Sequence, residues 1–368
     1  MHVLTLCKRQ YTARDLLDDR YGRLYEIPEG LARLGHRVSG LTLSYRRRPD
    51  HYHESPAGVQ WQSINVFPGG PWHLASAVRA LRGPECPDII LAGSDAPTCV
   101  LGQHLARHLG LPLVLDLYDN YEHFGLTRIP GMRQAFRRAC GDAEGLSVIS
   151  HTLAGHLRAT AAPAGEVSVI GNGVRTDLFH PADRQASREH LGLPRHASLI
   201  GCAGALDASR GIDDMFRAFL QLAEQRTDLH LVIAGPRDGT VQRYQHPRIL
   251  DLGVLPWRQV PALINSLDVS IVCNRDSSFG RYCFPLKLYE SLACGVPVVA
   301  AAVGDVPLLL PSEAGLTYPP GEPSALAAAI VRQLDAGNVK VHASVADWQA
   351  RAAQIQALLT ASSAPRRH

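Results

Sequence analysis

The feature that most constrains this chain is an alternation, repeated in both halves, of short apolar runs with segments of helical period. In the first half the strand candidates are "HVLTL", "RVSGLTL", "DIILAG", "LPLVLDLY", "GLSVIS" and "VSVIGN". Between them lie helical patterns such as "LYEIPEGLARLGH" and "APTCVLGQHLARHLG". The latter ends at Gly110 with Pro112 just beyond, a combination that stops a helix. The second half continues with strands "SLIGCAGAL", "LHLVIAG", "VSIVCN" and "VPVVAAAVG" and helices "GIDDMFRAFLQLAEQ", "VPALINSLD" and "PLKLYESLACG". Strands that alternate with helices build parallel βαβ units, with helices on both faces of a sheet. The expected fold class is α/β, with two doubly wound Rossmann-like domains.

The 368 residues suit two domains. The polar, proline-bearing stretch "HPADRQASREHLGLPRHA" reads as a connection. The expected division is a domain over 1–180, a linker over 181–196, a second domain over 197–345, and a final helix and tail over 346–368. The tail "SSAPRRH" reads as disordered. Sheets of this kind bind ligands beyond the carboxyl ends of their strands. Functional residues are therefore expected just after the strands, in a deep cleft where the two domains face each other.

Hydrophobic residues make up 46% and charged residues 19%, enough for packed cores and too little charge for disorder. The net charge of +3 fits an anionic small molecule or an anionic membrane surface and does not call for nucleic acid. The eight cysteines form no C-x-x-C pair and fall mostly in apolar runs. This pattern points to a reducing compartment and no structural zinc. The opening "MHVLTLCKRQ" reads as a buried strand rather than a signal peptide, and no apolar run reaches transmembrane length. The expected location is the cytoplasm, with peripheral attachment to the inner membrane face left open.

Two segments carry chemistry. In "CAGALDASRGIDDMF" a strand ends at Gly204, and a loop leads to a helix starting near Gly211. The two glycines let backbone approach a ligand, the helix N-terminus favours an anion, and Arg210 stands at its mouth. The alternative is an ordinary loop with a surface arginine. In "PLKLYESLACG" Pro285 suits a helix start, and Lys287 and Glu290 share a helix face. A lysine in a first helical turn opposes the helix dipole unless an anion binds there. The alternative is a surface ion pair between Lys287 and Glu290.

The ordered set "GNGVRTDLFHP", "SRGIDDMFRAF", "LVIAGP", "LGVLPWRQVPALINSLDVSIV", "LYESLACGVPVVAAAVG" and "GLTYPPGEPSALAAAI" resembles glycosyltransferase family 4, retaining enzymes of the GT-B fold. The resemblance spans Gly171 to Ile330 well; from Met1 to Ser150 it rests on the βαβ rhythm, "ARLGHRV" and "CPDIILAG". It implies an N-terminal acceptor domain, a C-terminal nucleotide-sugar domain, and a last helix, "DWQARAAQIQALL", that crosses back to the first domain. It also implies a nucleotide diphosphate sugar donor, a glycan or lipid-linked acceptor, no catalytic metal and no cofactor. Two basic side chains and helix ends would offset the diphosphate's charge.

Carried over residue by residue, the resemblance assigns donor binding to Gly204, Arg210, Gly211, Lys287, Glu290 and Gly22. Catalytic roles fall to Asp119, Arg210 and Lys287. Two positions depart from the pattern. Ala205 stands where the family has an arginine, and Tyr282 where it has the first of two glutamates; Glu290 matches the second, which holds the ribose. Lys287, within "P-x-K-x-x-E", is inferred to replace the missing charge.

In the first domain, "LVLDLYDNYEHFG" is similar to the family segment that brings a His-Asp pair to the cleft, with Tyr118 in the histidine's place and Asp119 matching the aspartate. Asp116 and Glu122 add acid nearby, but Glu122 and His123 read as a solvated loop. Gly22, with Arg23, corresponds to the family's glycine beside the donor phosphate. Arg46, Arg47 and Arg48, with Arg133, Arg137 and Arg138, are candidates for docking on anionic lipid or simply solvated. His51 and His53 lack further ligands at metal-binding spacing. Phe67, Trp72 and Trp61 suit an acceptor groove or a core.

The expected function is transfer of a hexosyl group in surface polysaccharide synthesis. A catalytically weak scaffold on the same fold is the competing reading, supported by Ala205 and Tyr282. A nucleotide-sugar epimerase or glycogen-type enzyme fits "GNGV" and "LYESLACG" poorly. A dehydrogenase is disfavoured because no G-x-G-x-x-G follows the first strand.

Overall fold

A computed structural model of the protein describes residues 1–11, 14–48, 51–67, 69–80, 86–123, 125–310, 315–335 and 345–364. The chain forms two compact units. The first comprises Met1–Gly173, Tyr282–Phe284 and the C-terminal segment from Ala346; the second comprises Val174–Arg281 and Pro285–Val345.

The first unit begins with β1 (His2–Lys8), the short antiparallel pair β2 (Gln10–Tyr11) and β3 (Arg14–Asp15), α1 (Leu16–Asp19) and α2 (Arg23–Arg33). It continues through β4 (Arg37–Ser44), β5 (His51–Glu54), β6 (Gln60–Asn65), α3 (Gly70–Ala80), β7 (Ile89–Gly93) and α4 (Ala96–Leu109). Then come β8 (Leu113–Leu117), α5 (Met132–Asp142), β9 (Gly145–Val148), α6 (His151–Ala161) and β10 (Glu166–Val169). The sheet order is β10-β9-β8-β7-β1-β4-β6-β5. Only β5, on the edge, runs antiparallel to its neighbour. The central strands are buried on both faces, which is why they read as unbroken apolar runs.

The second unit holds α7 (Arg184–His190), β11 (Ser198–Ala203), α8 (Ile212–Ala223), β12 (Leu229–Ala234), β13 (Ile249–Asp251) and α9 (Val260–Ser266). It closes with β14 (Val269–Val272), α10 (Leu286–Ala293), β15 (Val298–Ala301), α11 (Val306–Leu309), β16 (Thr317–Tyr318) and α12 (Pro323–Asp335). Its six strands are all parallel, in the order β13-β12-β11-β14-β15-β16. From β11 the chain winds one way to β13, then returns to β14 and winds the other way. The β11/β14 pair is thus the topological switch point. In the first unit the switch lies between β1 and β7.

The last helix, α13 (Trp348–Ser363), belongs to the first unit, as the resemblance implied. Asp347 caps it through Ala350 N at 2.7 Å. It lies so close to α2 that a Cβ built on Gly30 would stand 2.4 Å from the Ala352 Cβ. The tail expected to be disordered from Ser362 is helical through Ser363; residues 365–368 lie outside the described residues.

The expected boundary at 180 and linker over 181–196 differ from the division seen in the structure. The division falls at Gly173, and the stretch contains α7. The Arg188 side chain of α7 is 3% exposed and bonds Ser266 O at 2.9 Å and Asp268 at 2.7 Å. Polar composition suggested a linker, but here the polar groups satisfy one another inside the unit. Among the described residues, no helix is long and apolar enough to cross a membrane.

Candidate functional site

In the second unit, the loops after β11 and β14 meet at the switch point, where an open parallel sheet offers its ligand crevice. Gly204 follows β11 directly, with φ +107, a conformation that side chains rarely adopt. A Cβ there would stand 2.5 Å from the Lys287 Cε. Glycine thus lets the lysine of α10 lie flat against the loop, and Lys287 Nζ donates to Ala205 O at 3.3 Å.

No ion pair between Lys287 and Glu290 exists among the described residues, so the surface-pair alternative fails; the lysine points to the β11 loop instead. The first turn of α10 contains no acid, and Pro285 at its N-cap makes no side-chain cap. This helix end presents uncompensated positive charge.

Glu290, one turn further along α10, is partly buried, and no hydrogen bond among the described residues reaches its carboxylate. Burial pushes its carboxyl up to about 7 against the opposing pull of Lys287. A carboxylate left in that state is ready to accept hydroxyl groups.

Arg210 ends a short turn of 3-10 helix, Ala208–Arg210. Its guanidinium stacks 4.4 Å over the Phe279 ring, and Asp207 lies 4.0 Å away. Stacking on an aromatic face leaves the N–H edge of arginine available to an anion. Gly211 (φ +71) then starts α8 without a side-chain cap, with the backbone of Asn274 packed against it.

The first unit treats its acids differently from the expectation. Asp116 is not an acid awaiting an acceptor. Its carboxylate takes two bonds from Arg23 Nε at 2.8 and 3.0 Å and one from Nη2 at 2.8 Å. Arg23 is itself buried and also bonds Gly171 O and Ser147 Oγ. Gly22 opens α2 with φ 79; its place beside a donor phosphate remains a proposal.

Glu122 is likewise no solvated side chain. It is 3% exposed and grips Arg137 at 2.6 and 2.9 Å, with His156 Nε2 at 3.3 Å. That pairing holds its carboxyl below the usual range despite burial. It also removes Arg137 from the basic docking set. His123 is exposed, as expected. Tyr282 packs on the His156 ring at 5.1 Å, and its carbonyl accepts from Ser150 Oγ at 3.0 Å. Asp119 is partly buried after β8 and accepts from Asn120 N at 2.7 Å. Trp61 is fully buried and belongs to the core, whereas Phe67 and Trp72 are 72% and 81% exposed. His51's side chain lies outside the described ones; His53 stands 3.4 Å from Arg20.

Two residues went unread in the sequence. Phe279 lies in "RDSSFGRYCFP", which has no periodicity to mark it. Ser94, after β7 at the switch point, is buried with φ 95 and is held by Lys8 N, Tyr121 Oη and Tyr118 Oη. A strained non-glycine residue at a strand end persists only where its surroundings enforce it. The signal available for it was "AGSDAP", a polar pair directly after an apolar strand.

Comparison with known proteins agrees with this architecture. The family described as Glycosyl transferases group 1 matches residues 197–336, and the Glycosyl transferase 4-like domain matches residues 23–173. D-inositol 3-phosphate glycosyltransferase of Acidothermus cellulolyticus is 30% identical over 357 residues, covering 85% of this chain and 77% of that protein. A GDP-mannose-dependent phosphatidylinositol monomannoside mannosyltransferase of Mycolicibacterium smegmatis is 29% identical, covering 64% of this chain and 63% of that protein. The Corynebacterium glutamicum D-inositol 3-phosphate glycosyltransferase is matched over 51% of its length, so the chain spans about half to two thirds of these last two relatives.

Among solved structures, sucrose-phosphate synthase from Thermosynechococcus elongatus has a TM-score of 0.74 at 20% identity, with 97% of each chain covered. HepE from Anabaena, in complex with UDP, has a TM-score of 0.68 at 19% identity, covering 98% of this chain and 97% of that one. These likenesses define the GT-B fold. The chain belongs to glycosyltransferase family 4.

Proposed function

We propose that this protein is a retaining glycosyltransferase that moves a hexosyl group from a nucleotide diphosphate sugar to a glycan or lipid-linked acceptor, without a catalytic metal. The observation that carries the reading is Lys287 lying on Gly204, its ammonium bonded only to the Ala205 carbonyl among the described residues. A diphosphate leaving group develops charge as the glycosidic bond breaks. Preorganised cations and helix ends stabilise that charge at little reorganisation cost. Lys287, Arg210 and the uncapped, acid-free start of α10 supply them here. Lys287 takes over from the arginine that Ala205 replaces. Glu290 is assigned to the ribose hydroxyls and Asp119 to the acceptor side.

Among the described residues, no group of three or more His, Cys, Asp or Glu could hold a metal ion. The relatives support the substrate classes. One is named for GDP-mannose and phosphatidylinositol monomannoside, another for D-inositol 3-phosphate, and HepE was captured with UDP. A lipid-linked acceptor would place the protein on the cytoplasmic face of an anionic membrane, in polysaccharide or glycolipid synthesis.

The test is a panel of nucleotide diphosphate sugars incubated with the protein in excess EDTA. Released nucleotide is measured, and the anomeric configuration of the product is read by NMR. Transfer with retained configuration is expected. Activity restored only by added manganese or magnesium would overturn the metal-free reading. Nucleotide binding without release would favour a scaffold.

A further inference from the structure

The rim of the first unit at the carboxyl ends of β4 and β6 carries a group of side chains that the transfer reaction does not use. Phe67 and Trp72 are 72% and 81% exposed, in a protein that buries Trp61, Phe136, Phe179, Phe216 and Phe219 almost completely. Beside them are Arg46, Arg47 and Arg48, all exposed and none in an ion pair among the described residues. The fold binds the two turns together. Val66 N donates to Ser44 O at 2.9 Å, and Asn65 clasps Arg48 from both sides, accepting from its N–H at 3.0 Å and donating to its carbonyl at 2.6 Å. The arginine turn therefore adjoins Phe67, and Trp72 stands in the first turn of α3 just beyond it.

Between Tyr45 and Ala80 the only acids are Asp50, outside the described residues, and Glu54. Glu54 pairs with Gln60, at the opposite end of β6 from the aromatics.

We infer that this rim is a docking surface for an anionic lipid bilayer, an inference that rests on the lipid-linked acceptor proposed above. Tryptophan favours the level of the lipid headgroups, where its ring is covered and its N–H stays wet. Arginines in front of it are attracted by anionic headgroups, by roughly fivefold in partitioning per residue. One signal alone gives marginal binding, and apolar insertion combined with a basic cluster gives stable attachment. The rim supplies both. A glycan-stacking platform would use the aromatics but has no need of three unpaired arginines, so charge favours the bilayer.

The experiment is sedimentation of the full chain with vesicles of pure phosphatidylglycerol or pure phosphatidylcholine, together with tryptophan emission. The wild type should sediment with phosphatidylglycerol and not with phosphatidylcholine, weakening as salt is raised. The Arg46→Gln, Arg47→Gln, Arg48→Gln triple variant should bind roughly a hundredfold more weakly. A blue shift on phosphatidylglycerol addition should be present in wild type and absent in Trp72→Phe. Phe67→Ser with Trp72→Ser should lose sedimentation while keeping its thermal midpoint, since both side chains are exposed.

Equal binding by these variants and the wild type, or no binding by the wild type, would overturn the assignment. So would a Trp72 response to a soluble mannooligosaccharide and not to vesicles. Nucleotide release without vesicles, measured on the same samples, separates the two proposals. A protein that turns over donor but ignores vesicles refutes only the docking surface. One that binds vesicles but releases no nucleotide refutes only the transferase reading.

Discussion

Replacing Glu290 by Gln should stabilise the unliganded protein and weaken its ligand binding at the same time. The carboxyl is raised from its ordinary 4.5 to about 7 by burial. At about 1.36 kcal/mol per pH unit, this corresponds to at most about 3 kcal/mol. The sign follows from the raised value. Below about pH 4.5 the folded and unfolded chains both carry the protonated group, and its burial is not penalised. Between about 4.5 and 7 only the unfolded chain ionises, so stability falls as pH rises. Above 7 the loss is complete.

The glutamine variant escapes this loss. Its advantage over wild type should grow from near zero at pH 4.5 to at most about 3 kcal/mol at pH 8. Binding should move the other way, because a charge-assisted hydrogen bond to a ribose hydroxyl is worth about 1.5–3 kcal/mol, or roughly 10- to 150-fold in affinity. The assay is urea unfolding of both proteins across that pH range, followed by calorimetric titration with nucleotide diphosphates. Equal stabilities at pH 8, or unchanged nucleotide affinity, would refute the reasoning.

Lys287→Ala and Arg210→Ala should each reduce donor turnover by about 100-fold, and the double variant by less than the product, because both cations act on one leaving group. Arginine placed at Ala205 should partly restore the Lys287→Ala variant in the same turnover assay. Phe279→Ala should lower turnover by roughly 3- to 5-fold, the worth of an exposed cation–π contact, with Phe279→Tyr restoring it; an equal loss in Tyr and Ala would argue against the stacking role. Arg23→Met should destabilise the first unit by about 3–5 kcal/mol, since it leaves Asp116 buried without its partner, and thermal unfolding would show it. Arg23→Met combined with Asp116→Leu should recover much of that loss.

The elements of this fold are legible in the chain because parallel strands buried on both faces must be apolar throughout, and the helices between them must keep one apolar stripe. The donor-side residues Gly204, Arg210, Gly211, Lys287 and Glu290 could be nominated because they follow strand ends or open helices, positions set by local order alone. The partners of each charge could not be read. Asp116 meets Arg23 across 93 residues, and Glu122 meets Arg137 and His156 from separate helices. In the sequence all of these acids look alike. Lys287 reached the β11 loop rather than its helical neighbour Glu290 because Gly204, distant in sequence, leaves room for it. Local pattern decides where strands and helices lie; which side chains neutralise each other, and which are left for a ligand, is decided by contacts that only the folded chain makes.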